Sequence, residues 1–160
     1  MADEQLVKIT FEENLHELCR GGTESLWAGL IRTPAGFTYE LLNSPFYVRG
    51  ISYLDRVYAS PSEWGLKYRK IAERGGHSTY WLLVPASSTR FEEFWKPLQV
   101  LGCTYESGNQ NLQSGPATHY SVDVPPNTNI HEVYNLLAKG QAAKVWGFAE
   151  GHCGRPIDRS

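Results

Sequence analysis

The stretch Thr79–Val84 reads TYWLLV and ends at Pro85. A short, continuous apolar run of this kind predicts a central strand that is buried on both faces. Apolar residues then recur at helical spacing over Phe91–Leu101, and Thr89 stands where a capping box would begin a helix. The sequence therefore predicts a buried strand followed by a helix.

The chain downstream of this pair continues as alternating strands and helices. Predicted in order are a strand at Cys103–Ser107, a polar loop over 107–116, a strand at Thr118–Val124, a helix capped by Asn129 and a last strand at Lys144–Ala149. Strand, helix, strand, strand, helix, strand is the ferredoxin-like pattern.

The chain upstream contains short strands with turn residues between them and no helical pattern. Period-two or apolar runs lie at 6–12, 25–31, 37–41, 55–59 and 66–72. This spacing favours a small curled sheet or barrel. We therefore expect an α+β protein with a β-rich N-terminal subdomain, residues 1–76, packed against a ferredoxin-like C-terminal subdomain, residues 77–160, that ends in a short tail.

Composition narrows the class of protein. The 160 residues carry a net charge of −2 with 41% hydrophobic residues, so a sizeable core can form and nucleic acid is not an expected partner. No basic-then-apolar leader and no long apolar run are visible, so we expect neither a signal peptide nor a membrane span. Three widely spaced cysteines form no disulfide framework, which indicates the cytoplasm.

Titratable residues offer one candidate site. His77 follows a glycine pair, and Glu24 and Asp55 lie beside apolar strands. If the three converge at the junction of the two subdomains, they could act as acid and base or hold a small ligand. The alternative is that each carboxylate accepts hydrogen bonds at a strand end and that His77 belongs to a glycine turn.

Two weaker patterns involve cysteine. His152 and Cys153 could supply a base and a nucleophile. Because they are adjacent, however, their side chains in an extended segment point to opposite faces. His16 and Cys19 could join them as zinc ligands, but neither pair has the spacing of a zinc knuckle. We expect no metal and no cofactor.

Aromatic residues in turns favour contact with a protein partner. The candidate contact residues are Trp64, Tyr53, Phe46 and Tyr47, with Asn109, Gln110 and Asn111 in the polar loop. Exposed Trp and Tyr often anchor interfaces. The alternative is that these rings cap the barrel or seal the joint between the two subdomains.

Four motifs together carry a resemblance to a known family. They are ESLWA at 24–28, NSPFY at 43–47, DRVYA at 55–59 and GHST at 76–79. With these motifs the chain resembles a family of small bacterial proteins described only as a domain of unknown function. The resemblance implies a bacterial cytosolic protein and assigns no catalytic residues.

The size and acidic balance are also similar in kind to immunity proteins of bacterial toxin systems. We therefore expect a non-catalytic cytoplasmic protein that neutralises a toxin by direct contact. The alternative is a small enzyme or small-ligand-binding protein with its site at the subdomain junction.

Overall fold

Nine strands and two helices make up the part of the chain that the computed structural model describes, residues 6–19 and 21–154. The predicted tail after 154 and the first five residues lie outside the described residues.

The first five strands form a closed barrel. They are β1 (Leu6–Phe11), β2 (Glu24–Thr33), β3 (Gly36–Leu41), β4 (Arg56–Ser62) and β5 (Gly65–Glu73). Neighbouring strands pair in the order β1-β2-β3-β4-β5, and a short parallel pairing of Ile9 with Leu66 closes the ring. Because side chains alternate between faces, Leu26 and Ala28 fill the interior while Trp27 between them is exposed.

The remaining elements form a second sheet with two helices. They are β6 (Ser78–Pro85), α1 (Phe91–Val100), β7 (Thr104–Leu112), β8 (Gly115–Val124), α2 (Ile130–Ala142) and β9 (Gly147–His152). The sheet order is β7-β8-β6-β9, and every neighbouring pair is antiparallel.

The TYWLLV strand lies inside this sheet and divides two environments. Tyr80 and Leu82 face the helices, where they pack in one core with Trp95, Leu98 and Leu137. The alternate side chains face the barrel instead, because successive residues of a strand point to opposite faces. The buried strand at Thr79–Val84 is therefore confirmed, and it connects the helical layer to the barrel.

The predicted α+β class with a ferredoxin-like half is wrong. The described chain is mostly β, with 49% strand and 16% helix in two sheets, and no clear ferredoxin-like half stands out. One contribution comes from the segment 107–116, which was predicted to be a polar loop because it is rich in Gly, Asn, Gln and Ser. It instead extends β7 to Leu112 and begins β8 at Gly115, which leaves a two-residue turn.

One of the two predicted helix caps is confirmed, and the other is wrong. Asn129 caps α2 as predicted, since its side-chain oxygen accepts from the backbone N–H groups of His131 and Glu132. The capping box at Thr89 is wrong, because Arg90 is the cap residue of α1 and makes no capping bond through its side chain. The last strand begins at Gly147, three residues later than predicted.

Candidate functional site at the barrel–sheet junction

Glu24 holds the loop that carries the NSPFY motif. Its carboxylate accepts hydrogen bonds from the backbone N–H groups of Phe46 at 2.7 Å, Tyr47 at 3.0 Å and Val48 at 2.9 Å. Burial raises the pKa of Glu24, and the three N–H donors oppose that rise. All three of these hydrogen bonds come from one loop, so the role of Glu24 in this structure is to shape that loop.

Asp55 holds a second loop in the same way. The fully buried carboxylate accepts from the N–H groups of Ser52 at 2.9 Å and Gly75 at 2.8 Å, and it pairs with Arg74 at 3.2 Å. A Cβ atom at Gly75 would lie 2.6 Å from the carbonyl oxygen of Leu54. The close approach that this hydrogen bond needs therefore requires glycine at 75.

His77 belongs to a third set of contacts. Its Nδ1 lies 2.8 and 3.0 Å from the two carboxylate oxygens of Asp123, and its ring makes an edge-to-face contact with Tyr53. Burial raises the pKa of Asp123, and the nearby imidazole opposes that rise. Within residues 6–19 and 21–154, no hydrogen bond or ion pair joins any two of Glu24, Asp55 and His77.

Polar contacts join the barrel loops to the sheet. The carbonyl of Pro45 accepts from the indole N–H of Trp81 at 2.8 Å and from the hydroxyl of Ser121 at 2.6 Å. The hydroxyls of Ser52 and Thr79 lie 2.7 Å apart and are buried. The NSPFY and GHST motifs thus contribute directly to the joint between the barrel and the sheet, and Glu24 and Asp55 of the other two motifs hold the loops that reach it.

A cavity of about 210 Å³ opens beside this joint. It is lined by His16, Leu18, Trp81, Leu83, His119, Gln141, Gly147, Phe148 and Ala149. The loop after β1, the barrel-facing side of the sheet and the start of β9 each contribute to its wall. Its lining is mostly apolar, with two imidazoles among the polar groups.

His119 is the most unusual group in that wall. Its side chain is nearly buried, at 3% exposure, and its ring meets the edges or faces of Phe46, Tyr47 and Trp81 at centroid distances of 5.1, 5.4 and 6.4 Å. Its Nδ1 has no hydrogen-bond partner among the described residues. Burial, with a smaller effect of His16, lowers the pKa of His119 to about 4. The imidazole is therefore neutral at pH 7.

His16 faces the same cavity in a defined tautomer. Its Nδ1 accepts from the backbone N–H of Leu18 at 3.0 Å, so in the neutral ring the proton resides on Nε2. Burial and then Arg49 lower the pKa of His16. The rings of His16 and Trp81 meet edge to face, with centroids 5.6 Å apart. Both imidazoles thus line one cavity: that of His16 carries its proton on Nε2, and that of His119 has an unpartnered Nδ1.

Sequence reasoning considered His16 only as a zinc ligand and gave His119 no role. The signal that was available for His119 is its parity on β8, which places it on the same face as Ser121 and Asp123. Nothing local to His16 indicates that the loop after β1 reaches the second sheet. Within the described ranges, no three His, Cys, Asp or Glu side chains cluster as a metal site.

The predicted partner-contact residues separate into two groups. Trp64 is 82% exposed in the turn between β4 and β5, and Asn109 and Asn111 are exposed on β7. By contrast, the side chains of Phe46, Tyr47 and Tyr53 are only partly exposed, and they pack on His119 or His77 at the joint. Gln110 is buried and accepts from the hydroxyl of Tyr47 at 3.2 Å.

Comparison with known proteins places the chain in a family and a fold. The chain belongs to the family described as Domain of unknown function (DUF4265), whose model matches residues 24–148. The four quoted motifs lie within that range. A solved structure titled "Novel crystal structure of a hypothetical protein from Neisseria gonorrhoeae" is similar, with a TM-score of 0.72 and 12% identity over 97% of this chain and 100% of that chain. At that identity the likeness shows the fold alone.

Comparison with curated proteins gives no match. No helix in the described part of the chain has the length and apolar character needed to cross a membrane.

Proposed function

We propose that the protein binds a small, uncharged, planar molecule in the cavity beside the joint. The observation that carries this proposal is the nearly buried His119, whose Nδ1 has no hydrogen-bond partner among the described residues. Buried polar atoms are normally paired, and leaving one unpaired costs about 1–3 kcal/mol. A ligand that hydrogen-bonds to this nitrogen would recover that cost.

The size of the cavity limits the ligand. An apolar cavity of roughly 150 Å³ can hold benzene, whereas sites for drug-sized ligands begin at roughly 300 Å³. At about 210 Å³, this cavity suits one ring with a substituent or two fused rings.

The electrostatics of the cavity wall disfavour a charged ligand. Burial lowers the pKa of both imidazoles, so neither supplies a positive charge at neutral pH. The guanidinium of Arg49 lies 5.9 Å from the ring centroid of Trp81, which disfavours a cationic ligand. The flat indole of Trp81 adds an aromatic surface suited to a neutral heteroaromatic molecule.

Titration with benzimidazole, followed by two-dimensional NMR, tests the proposal because this probe carries a donor and an acceptor on one flat frame. Indene has nearly the same shape without nitrogen, and we expect it to bind about tenfold more weakly. His119→Leu should weaken benzimidazole binding, while His131→Leu on the exposed face of α2 should not. Shifts that map away from the cavity, or that survive His119→Leu unchanged, would contradict the proposal.

A second candidate is the neutralisation of a bacterial toxin by direct contact in the cytoplasm. The exposure of Trp64, 82% at the tip of the β4–β5 turn, supports it. An exposed indole is costly to keep in water and is a common interface anchor. The exposed amides of Asn109 and Asn111 on β7 could add polar contacts.

Affinity purification of the tagged protein from its source bacterium tests this second candidate. We expect one stoichiometric protein partner, retained by Val100→Ala and lost with Trp64→Ala, since Val100 is equally exposed at 81% on α1. Recovery of no stoichiometric partner would count against a toxin-neutralising role.

A further inference from the structure

The two edges of the second sheet differ in how their outer backbone is covered. At the β9 edge, the N–H of Gly50 in a barrel loop donates to the carbonyl of Gly151 at 3.0 Å. The pairing of β9 with β6 also contains a register shift, next to Thr79. Devices of this kind keep a sheet from adding further strands.

Among the described residues, the β7 edge has no such cover. β7 pairs with β8 over all nine of its residues, from Thr104 to Leu112, without a register shift. Within residues 6–19 and 21–154, no hydrogen bond from another element reaches the backbone of β7. Its outward N–H and C=O groups therefore have no backbone partner in the part of the chain that the structure describes.

The side chains of β7 also lack the usual protection. Its sequence, TYESGNQNL, contains Glu106 as its one charged residue and has no Lys, Arg or Pro. Seven of the nine residues are exposed. A long, open and nearly uncharged edge strand is a template for pairing with another chain.

We propose that β7 pairs antiparallel with β7 of a second copy of this chain, about a two-fold axis at Gly108. Two four-stranded sheets would then join into one sheet of eight strands. This contact is isologous, so it closes as a dimer and does not propagate. It involves the sheet edge and does not depend on the ligand cavity.

The order of side chains along β7 suits that register. Pairing about Gly108 places Ser107 opposite Asn109 and Glu106 opposite Gln110 of the other copy. Pairing about Glu106 would place the two carboxylates opposite each other, which is unfavourable. The single charge thus excludes that alternative.

Gln110 supplies a donor for the facing carboxylate. Its Oε1 accepts from the hydroxyl of Tyr47, which orients the amide and leaves the NH₂ group as a donor. Gly108 adds no side chain at the axis, and a Cβ atom built there meets nothing within 4 Å. The two backbones can therefore approach where they cross the axis.

Sedimentation velocity of the full chain over a wide concentration range tests the dimer. We expect reversible monomer–dimer behaviour for the natural sequence. Ser107→Lys combined with Asn109→Lys places like charges opposite each other at two positions, and it should raise the dissociation constant by at least roughly 100-fold.

A charge-swapped variant tests the register itself. Ser107→Lys combined with Asn109→Glu places opposite charges face to face and should retain the dimer. Val100→Lys, on the exposed face of α1, controls for added charge and should also retain it. Circular dichroism of each variant shows whether it is folded.

Two results would overturn the proposal. A natural chain that stays monomeric at every concentration shows that the edge does not take a second copy. Equal dimerisation of the two double variants shows that any dimer forms through another surface.

Discussion

The hydroxyl oxygens of Ser44 and Ser121 lie 2.7 Å apart in the buried joint, although 77 positions separate the two residues in the chain. Ser121 also donates to the carbonyl of Pro45, so its oxygen is left to accept from Ser44. One hydroxyl on β8 thus holds two successive residues of a barrel loop. This contact joins the first half of the chain to the second.

Removal of that hydroxyl should weaken the whole fold. Ser121→Ala leaves the Ser44 hydroxyl without its partner in a buried site, so we expect a loss of about 1–3 kcal/mol in the free energy of unfolding. Urea denaturation measures it. Ser114→Ala in the exposed β7–β8 turn is the control and should change stability by less than about 0.5 kcal/mol. Equal stability of the two variants would contradict the role given to Ser121.

The ionised carboxylate of Glu24 should stabilise the fold in a way that an amide of the same shape does not. In Glu24→Gln, one end of the side chain becomes an NH₂ group that must face a backbone N–H of the 46–48 loop, whichever way the amide turns. We expect a loss of about 2–3 kcal/mol in urea denaturation. Glu13→Gln, at an exposed position in the loop between β1 and β2, should leave the free energy of unfolding nearly unchanged. If Glu24→Gln left the free energy of unfolding unchanged, the three N–H groups would have found other partners.

Stability should fall in mild acid because of His119. The pKa of its imidazole is about 4 in the folded protein, below the value of 6.5 for an unfolded chain. Between those values the unfolded chain binds more protons, so stability is lost as the pH falls. From pH 7 to pH 5 the contribution of His119 is a loss of about 2 kcal/mol.

Comparison of the natural chain with His119→Leu isolates that contribution. The variant should lose less stability between pH 7 and pH 5, as measured by urea denaturation at both values. His131→Leu, in which the lost histidine is exposed, should keep the acid dependence of the natural chain. Identical pH profiles for all three proteins would show that His119 is not a buried neutral group.

Replacement of Gly140 by alanine should destabilise the protein, although alanine usually stabilises a helix. In an exposed helix interior, replacement of glycine by alanine stabilises by about 1 kcal/mol. In α2, however, a Cβ atom at 140 would lie 2.3 Å from the indole of Trp146, which is buried and donates to the carbonyl of Leu137. We expect Gly140→Ala to destabilise by at least about 2 kcal/mol.

Thermal and urea unfolding of Gly140→Ala measure the reversal. Gly21→Ala is a suitable control, because a Cβ atom there meets nothing within 4 Å. Stabilisation by Gly140→Ala would mean that Trp146 moves aside at little cost.

Local patterns in the sequence predicted several elements because their causes are local. The apolar run at Thr79–Val84 must be buried wherever it lies, and Asn129 caps a helix through N–H groups two and three residues away. β7 was missed beyond residue 107 because its composition is typical of loops. A strand that is exposed along most of its length needs no apolar residues, so it leaves no periodic signal.

The site was harder to predict because its contacts are not local. The carboxylate of Glu24 meets a loop more than 20 positions away, and His77 meets Asp123 on a different strand. The convergence of Glu24, Asp55 and His77 was a reasonable expectation from their types, but partners that only the fold brings near satisfy each of them. His16 and His119 line one cavity for the same reason.

The joint also has a consequence for synthesis on the ribosome. Chains emerge from the N-terminus, so the barrel loops that carry Pro45 and Ser52 are made well before Trp81, and Ser121 follows much later. Until β8 has left the exit tunnel, the Ser44 hydroxyl lacks its partner on Ser121, and water must take that place. The nascent chain therefore carries an incomplete joint after its barrel loops are made, and the contacts of Ser121 complete it.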